Sequence, residues 1–108
     1  MMTGGLWHVE TFDSKGPPGV LEAFLKDECL PYWRSRGFNV NVFVTQFSLG
    51  RAQLWLMTEL ESMGAFDGWA AMAMGEPRGR ELMDRLVGMT TNVEASVVRN
   101  LEAGGHGR

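Results

Sequence analysis

The period of hydrophobic patterning switches between two and about 3.6 in one fixed order along this chain, and few folds accept that order. Apolar alternation occupies residues 6–12, and a helical pattern follows over 19–36. Two β-rich runs, 38–49 and 53–60, are separated only by Gly50-Arg51-Ala52. A helical region covers 63–89, and a last β-rich run covers 91–99. Strand, helix, strand, strand, helix and strand in that sequence imply one open sheet, with its helices packed on a single face.

This βαββαβ order is the split βαβ, or ferredoxin-like, arrangement, an α+β fold with a four-stranded antiparallel sheet. The 108 residues suffice for one domain with one core. That domain is expected over 6–101, between a disordered N-terminus at 1–5 and a flexible, glycine-rich tail at 102–108.

Local signals agree with the pattern. Asp13-Ser14-Lys15-Gly16-Pro17-Pro18 is turn chemistry, and Pro18 suits the first turn of a helix burying Leu21, Phe24, Leu25 and Cys29. Pro31 lacks the N–H that a continuous helix needs, so a kink or a second short turn is expected there. Gly37 ends the helix. The two central β-rich runs read as a hairpin with a glycine turn. Ser62 is a candidate N-cap for a helix carrying Phe66, Trp69, Ala70 and Ala73. Gly75-Glu76-Pro77 then opens a second helix with a buried stripe of Leu82, Met83, Leu86 and Val87.

Charge and cysteine usage exclude several function classes. Ten basic against thirteen acidic residues give a net charge of −3, without the clustered basic surface that nucleic acid requires. One cysteine and two histidines permit neither an internal disulfide nor a four-ligand zinc cluster. The first residues carry no basic and apolar leader pattern, and no apolar run reaches membrane-spanning length. The expectation is a cytoplasmic protein with neither nucleic-acid nor membrane partner.

Side chains alternate across a strand, so each strand offers two sets. One set holds Trp7, Val9 and Thr11, then Val40, Val42 and Val44, then Leu54, Leu56 and Leu60, then Val93, Ala95 and Val97. It is mainly aliphatic, broken at Trp7, Thr11 and Thr58, and is assigned to the helices. The other set mixes His8, Glu10, Asn41 and Glu94 with Phe12, Phe43, Trp55 and Met57. A mixed face suits a ligand cavity, with apolar walls and a few orienting polar groups, or a subunit contact enclosing one.

The chain resembles the dimeric α+β barrel superfamily and is similar in layout to proteins related to NIPSNAP and to the antibiotic-biosynthesis monooxygenases. Three stretches carry the resemblance: the helix ending "FLKDECLPYWRSRGF", the hairpin, and "LWLMTELESMGAFDGWAAM", in which a strand ending in an acid leads to Ser62, Phe66 and Trp69. It covers residues 6–100. The resemblance implies a homodimer in which two four-stranded sheets face one another. Haem-degrading relatives use a histidine on the second helix as iron ligand, and this chain has no histidine between Asp67 and Arg99. Many monooxygenase relatives carry a histidine soon after the helical tryptophan, whereas Trp69 is followed by Ala70-Ala71-Met72-Ala73-Met74. Such enzymes need no cofactor, because an electron-rich substrate reacts with oxygen itself once bound and deprotonated.

His8 and Glu10 lie two apart on one strand and therefore on one face, where they are candidate catalytic residues as a general base and its partner. The same pair, with Glu94 or Glu59, has the donor types of a metal site, and a hydrogen-bonded polar pair is the plainer alternative. Asn41, Phe43, Trp55, Met57, Trp69 and Glu94 are the candidate ligand-binding residues. Neither a metal nor a cofactor is expected. Cys29, flanked by acids, reads as a buried apolar residue. The eight methionines read as adaptable core filler. The resulting expectation is a homodimer binding an apolar or aromatic small molecule in the sheet-face cavity, as a cofactor-independent monooxygenase. The alternative is a non-catalytic ligand-binding or protein-interaction module.

Overall fold

A computed structural model describes residues 5–45 and 53–101. Strand β1, Leu6–Ser14, leads through the proline turn into α1, Pro18–Phe24. A widened helical turn, Leu25–Cys29, continues directly into α2, Leu30–Ser35. Strands β2, Asn39–Val44, and β3, Leu54–Leu60, form the hairpin. Helices α3, Met63–Gly75, and α4, Pro77–Met89, follow, and β4, Thr90–Arg99, completes the sheet. All pairings are antiparallel, in the order β2-β3-β1-β4. Of the ends expected to be loose, 1–5 and 102–108, only Gly5 is described, its carbonyl accepting from the Asn100 N–H at 2.9 Å; the rest and the glycine turn lie outside the described residues.

The disturbance expected at Pro31 is absorbed in the widened turn. The N–H of Leu30 bonds to the carbonyl of Leu25, five residues back instead of four. Pro31 has no N–H, so it sits without penalty in the first turn of α2. The extra residue also sets the helical phase. At about 3.6 residues per turn, a helix burying Leu21 and Leu25 would next bury Glu28 and Tyr32. The widened turn delays that phase by one residue, and Cys29 and Trp33 are buried instead.

Helix ends follow their local chemistry. The Ser62 side chain accepts from the Ala65 N–H at 3.3 Å, as an N-cap does. At the end of α2, Gly37 takes φ +93°. Its N–H bonds to the Arg34 carbonyl, and that of Phe38 to the Trp33 carbonyl. This is a Schellman motif, a backbone reversal that favours glycine. Glu76, with an extended backbone, separates α3 from α4. Gly79 of α4 lies so close to α3 that an added Cβ would stand 2.2 Å from the Met72 carbonyl oxygen.

The core lies between the helices and one sheet face, around Leu21, Leu25, Trp33, Val40, Leu56 and Leu82. The α4 stripe is narrower than expected: Leu82 and Leu86 are buried, while Val87 is 64% exposed. The helices do not cover β4, whose residues from Thr91 to Ser96 are all exposed. Among the described residues no helix is long and apolar enough to cross a membrane.

Register corrects the face assignment of β1. Leu6, His8, Glu10 and Phe12 pair with Leu60, Thr58, Leu56 and Leu54, so they share the face of the core. Trp7, Val9 and Thr11 pair with Glu59, Met57 and Trp55 and look outward. For β2, β3 and β4 the assignment agrees with the pairing, since Val42 meets Leu56 and Ala95 meets Glu10. Alternation divides a strand into two sets but does not say which set of one strand joins which set of the next. In β1 both sets are about equally apolar, and Phe12, at 1% exposure, belongs to the core.

Candidate functional site

The sheet divides the candidate residues into two groups. On the open face three rows run across four strands: Phe43, Trp55, Thr11, Glu94; Asn41, Met57, Val9, Ser96; and Asn39, Glu59, Trp7, Val98. On the helix side the corresponding rows are Val40, Thr58, His8, Val97, and Val42, Leu56, Glu10, Ala95. His8, Glu10 and Trp69 therefore stand on one side of the sheet. Asn41, Phe43, Trp55, Met57 and Glu94 stand on the other. The pairing of His8 and Glu10 with Glu59 or Glu94 as joint ligands is ruled out by this register.

The open face is a shallow apolar surface with polar margins. Phe43 is 54% exposed and Trp55 40% exposed, and the two are direct cross-strand partners. A trough of about 530 Å³ runs past Val9, Thr11, Trp55, Met57, Glu94 and Ser96. A second hollow of about 270 Å³ lies between Phe43, Thr45, Trp55 and Met57. Asn41 donates to Asn39, and Asn39 donates to Glu59 at 2.7 Å, which forms a polar row at one end.

The helix side holds a buried aromatic cluster centred on Trp69. Trp33 and Phe38 each meet its ring edge-on, with centroids 5.4 Å away. The imidazole of His8 lies 6.0 Å from the Trp69 ring and 5.1 Å from Phe66. Three buried polar atoms in this region have no hydrogen-bond partner: Nδ1 of His8, Oγ1 of Thr58 and Nε1 of Trp33. His8 and Thr58 are direct neighbours across β1 and β3, and His8 and Trp33 both touch Trp69. Buried polar groups are nearly always satisfied in folded proteins, so these three atoms are exceptions to that rule.

Electrostatics on this side follow from burial. Desolvation lowers the pKa of His8 and raises that of Glu10, so each is pushed toward its neutral form. In the tautomer with its proton on Nε2, His8 presents Nδ1 as an acceptor. Cys29 has no reactive role: burial and the neighbouring Glu28 push its thiol up to about 12. Among the described residues no group of three or more His, Cys, Asp or Glu side chains is gathered as a metal site would need.

Sequence reasoning missed Thr58, Trp33, Phe38 and Phe66 as members of this cluster. Thr58 carried a signal, being the one polar break in the buried set Leu54, Leu56, Leu60. Trp33 and Phe38 gave none, because their inward position depends on the widened turn and on the Schellman motif.

No protein-family model matches the sequence, and no curated protein sequence matches it. Solved structures match closely in fold. A NIPSNAP family protein from Agrobacterium tumefaciens superposes with a TM-score of 0.76 at 15% identity, over 90% of this chain and 86% of that one. SnoaB, a cofactor-independent oxygenase from Streptomyces nogalater, gives 0.66 at 15% identity, over 91% and 94%. A dimeric protein of unknown function and ferredoxin-like fold from Bacteroides fragilis gives 0.66 at 11% identity, over 93% and 100%. The chain thus shares its ferredoxin-like α+β fold with these structures.

Proposed function

We propose that the protein is a homodimer closed through its open sheet faces, and that each protomer takes an apolar or aromatic small molecule on the helix side, against Trp69. The observation that carries this reading is the set of unpartnered buried atoms on His8, Thr58 and Trp33 beside a wall of aromatic rings. A planar ligand would stack in the aromatic wall and bring a polar edge to those atoms. The chemistry is cofactor-independent oxygenation. His8 is the general base that takes the proton of a substrate hydroxyl, with Glu10 next to it on the strand. The electron-rich anion so formed gives an electron to dioxygen, the pair combines at a ring carbon as a hydroperoxide, and loss of water with cleavage of its O–O bond leaves the quinone, the protein supplying position and a dry environment. SnoaB, a cofactor-independent oxygenase of the same fold, is consistent with this reading.

Phe43, Trp55, Met57, Asn41 and Glu94 then line the subunit contact. An exposed apolar patch of this kind is what an interface covers. The dimeric Bacteroides protein has the same fold. Light scattering on the eluted protein should give twice the 12.0 kDa chain mass, and a clean monomer would remove the interface from the proposal.

Oxygen uptake with electron-rich naphthols and hydroquinones tests the chemistry. Uptake well above buffer is expected, falling by about 10²–10⁴-fold in His8→Gln. Naphthol binding without uptake would instead favour the second reading, a non-catalytic binding module built on the same aromatic cluster.

A further inference from the structure

The proposed site is closed. His8, Thr58, Trp33 and Trp69 are 6%, 0%, 0% and 4% exposed, so any molecule that reaches them needs a way in. The helical layer has one natural division. One arm is α1, the widened turn and α2; the other is α3 and α4, which pack chiefly on each other. Two carboxylates, one from each arm, stitch the division at neighbouring points. Glu28 of the first arm receives Nη1 and Nη2 of Arg85 at 2.8 and 3.0 Å and Nη2 of Arg78 at 3.4 Å. Glu76, at the joint of the second arm, receives Arg36 at 2.6 Å and the Tyr32 hydroxyl. The Arg85 guanidinium also lies 4.4 Å from the centre of the Phe24 ring.

A cavity of about 260 Å³ opens beside the Glu76 stitch, between Arg36, Phe38, Gly68, Ala71, Met72 and Glu76. Phe38, which lines it, meets Trp69, which in turn meets His8. Gly68 and Ala71 are the small residues on its α3 side. The stitches are partly exposed ion pairs, with Arg36 48% and Glu76 34% accessible. Such pairs contribute little to stability and are screened by salt, so they can break and re-form without unfolding the domain.

We propose that this seam between the helical arms is the entrance to the buried aromatic cluster, with the Glu76–Arg36–Tyr32 contact as its latch and the Phe38 ring as its inner door. The proposal rests on the reading that a small molecule occupies the helix side of the sheet. Aromatic molecules pass from the cavity, under the parted Arg36 and Glu76, to Trp69. Opening is a separation of the arms at the latch, while the neighbouring Glu28 cluster keeps the arms joined one turn away. The latch therefore governs how fast a ligand enters and leaves, and only weakly how tightly it is held.

Stopped-flow binding of 1-naphthol, followed by tryptophan emission, tests this on the intact protein. Association and dissociation rates should both rise several-fold in Glu76→Gln and in unmodified protein on adding potassium chloride, with Kd little changed. Naphthol is uncharged at neutral pH, so salt acts on the latch and not on the encounter. A ligand-free measurement accompanies it. In a Trp7→Phe/Trp55→Phe background, acrylamide quenching of Trp33 and Trp69 should rise in parallel. If either the rates or the quenching stays flat, the seam is not the entrance. Naphthol binding that is weakened by Thr58→Val would still uphold the interior site in that case. Failure of naphthol to bind at all would overturn the interior site and the entrance together.

Discussion

Nδ1 of His8 is buried without a partner, against Phe66 and Trp69, and burial is what lowers its pKa. Desolvation alone sets the direction, so the imidazole should titrate below its usual 6.5. The unfolded chain then binds the proton more readily. Stability is fully present above 6.5 and declines as the pH falls from there through the lower folded value. NMR of the imidazole C–H resonances reads the midpoint directly, and a value at or above 6.5 would contradict the buried placement. Thr58→Val replaces an unpartnered hydroxyl with a methyl group of the same shape. Its melting temperature should be equal or higher, while aromatic binding weakens. At this scale the sequence singled out His8, Glu10 and Trp69 as candidates, put His8 and Glu10 on the open face where the register puts them on the helix side, and did not single out Thr58. A buried threonine in an otherwise aliphatic set looks like a tolerated exception until its neighbours across the sheet are known.

The helices and strands were legible in their kinds and order, because period and caps are local properties. What joins one element to another was not. The parity of β1 depended on hydrogen-bond register, and the choice between its two faces could not be read from residues as similar in hydrophobicity as Leu6, Trp7 and Val9. The contact of α3 with α4 likewise depends on Gly79, which has a negative φ and no turn to announce it. Gly79→Ala forces a Cβ against the Met72 backbone and should destabilise the domain by about 1–3 kcal/mol in chemical denaturation. Trp55→Ala acts on the opposite side of the sheet. It should weaken dimerisation in light scattering and leave the circular dichroism of the helices unchanged.

For the whole molecule, acid should remove a small increment of stability, because the two partly exposed carboxylate clusters each contribute little. Glu28 has its pKa lowered by hydrogen bonds from Arg85 and then Arg78, and Glu76 by hydrogen bonds from Arg36 and Tyr32. Depressed carboxylates support the fold above the usual 4.5 and withdraw that support as the pH falls through their lower folded values. Thermal melts across this range should show a decline that is shallower in Glu76→Gln. A different whole-chain property follows from the widened turn before Pro31. It is the mark of one residue more than the helix needs, as though a codon had been added and the excess looped into a single turn. Removing Asp27 together with Pro31→Ala should let the helix close regularly and return Cys29 and Trp33 to the same inward phase. Removing the exposed Asp84 from α4, where no such slack exists, turns Leu86 by about 100° away from the core and should abolish folding. Among the described helices, tolerance to the loss of a residue is thus concentrated at this turn.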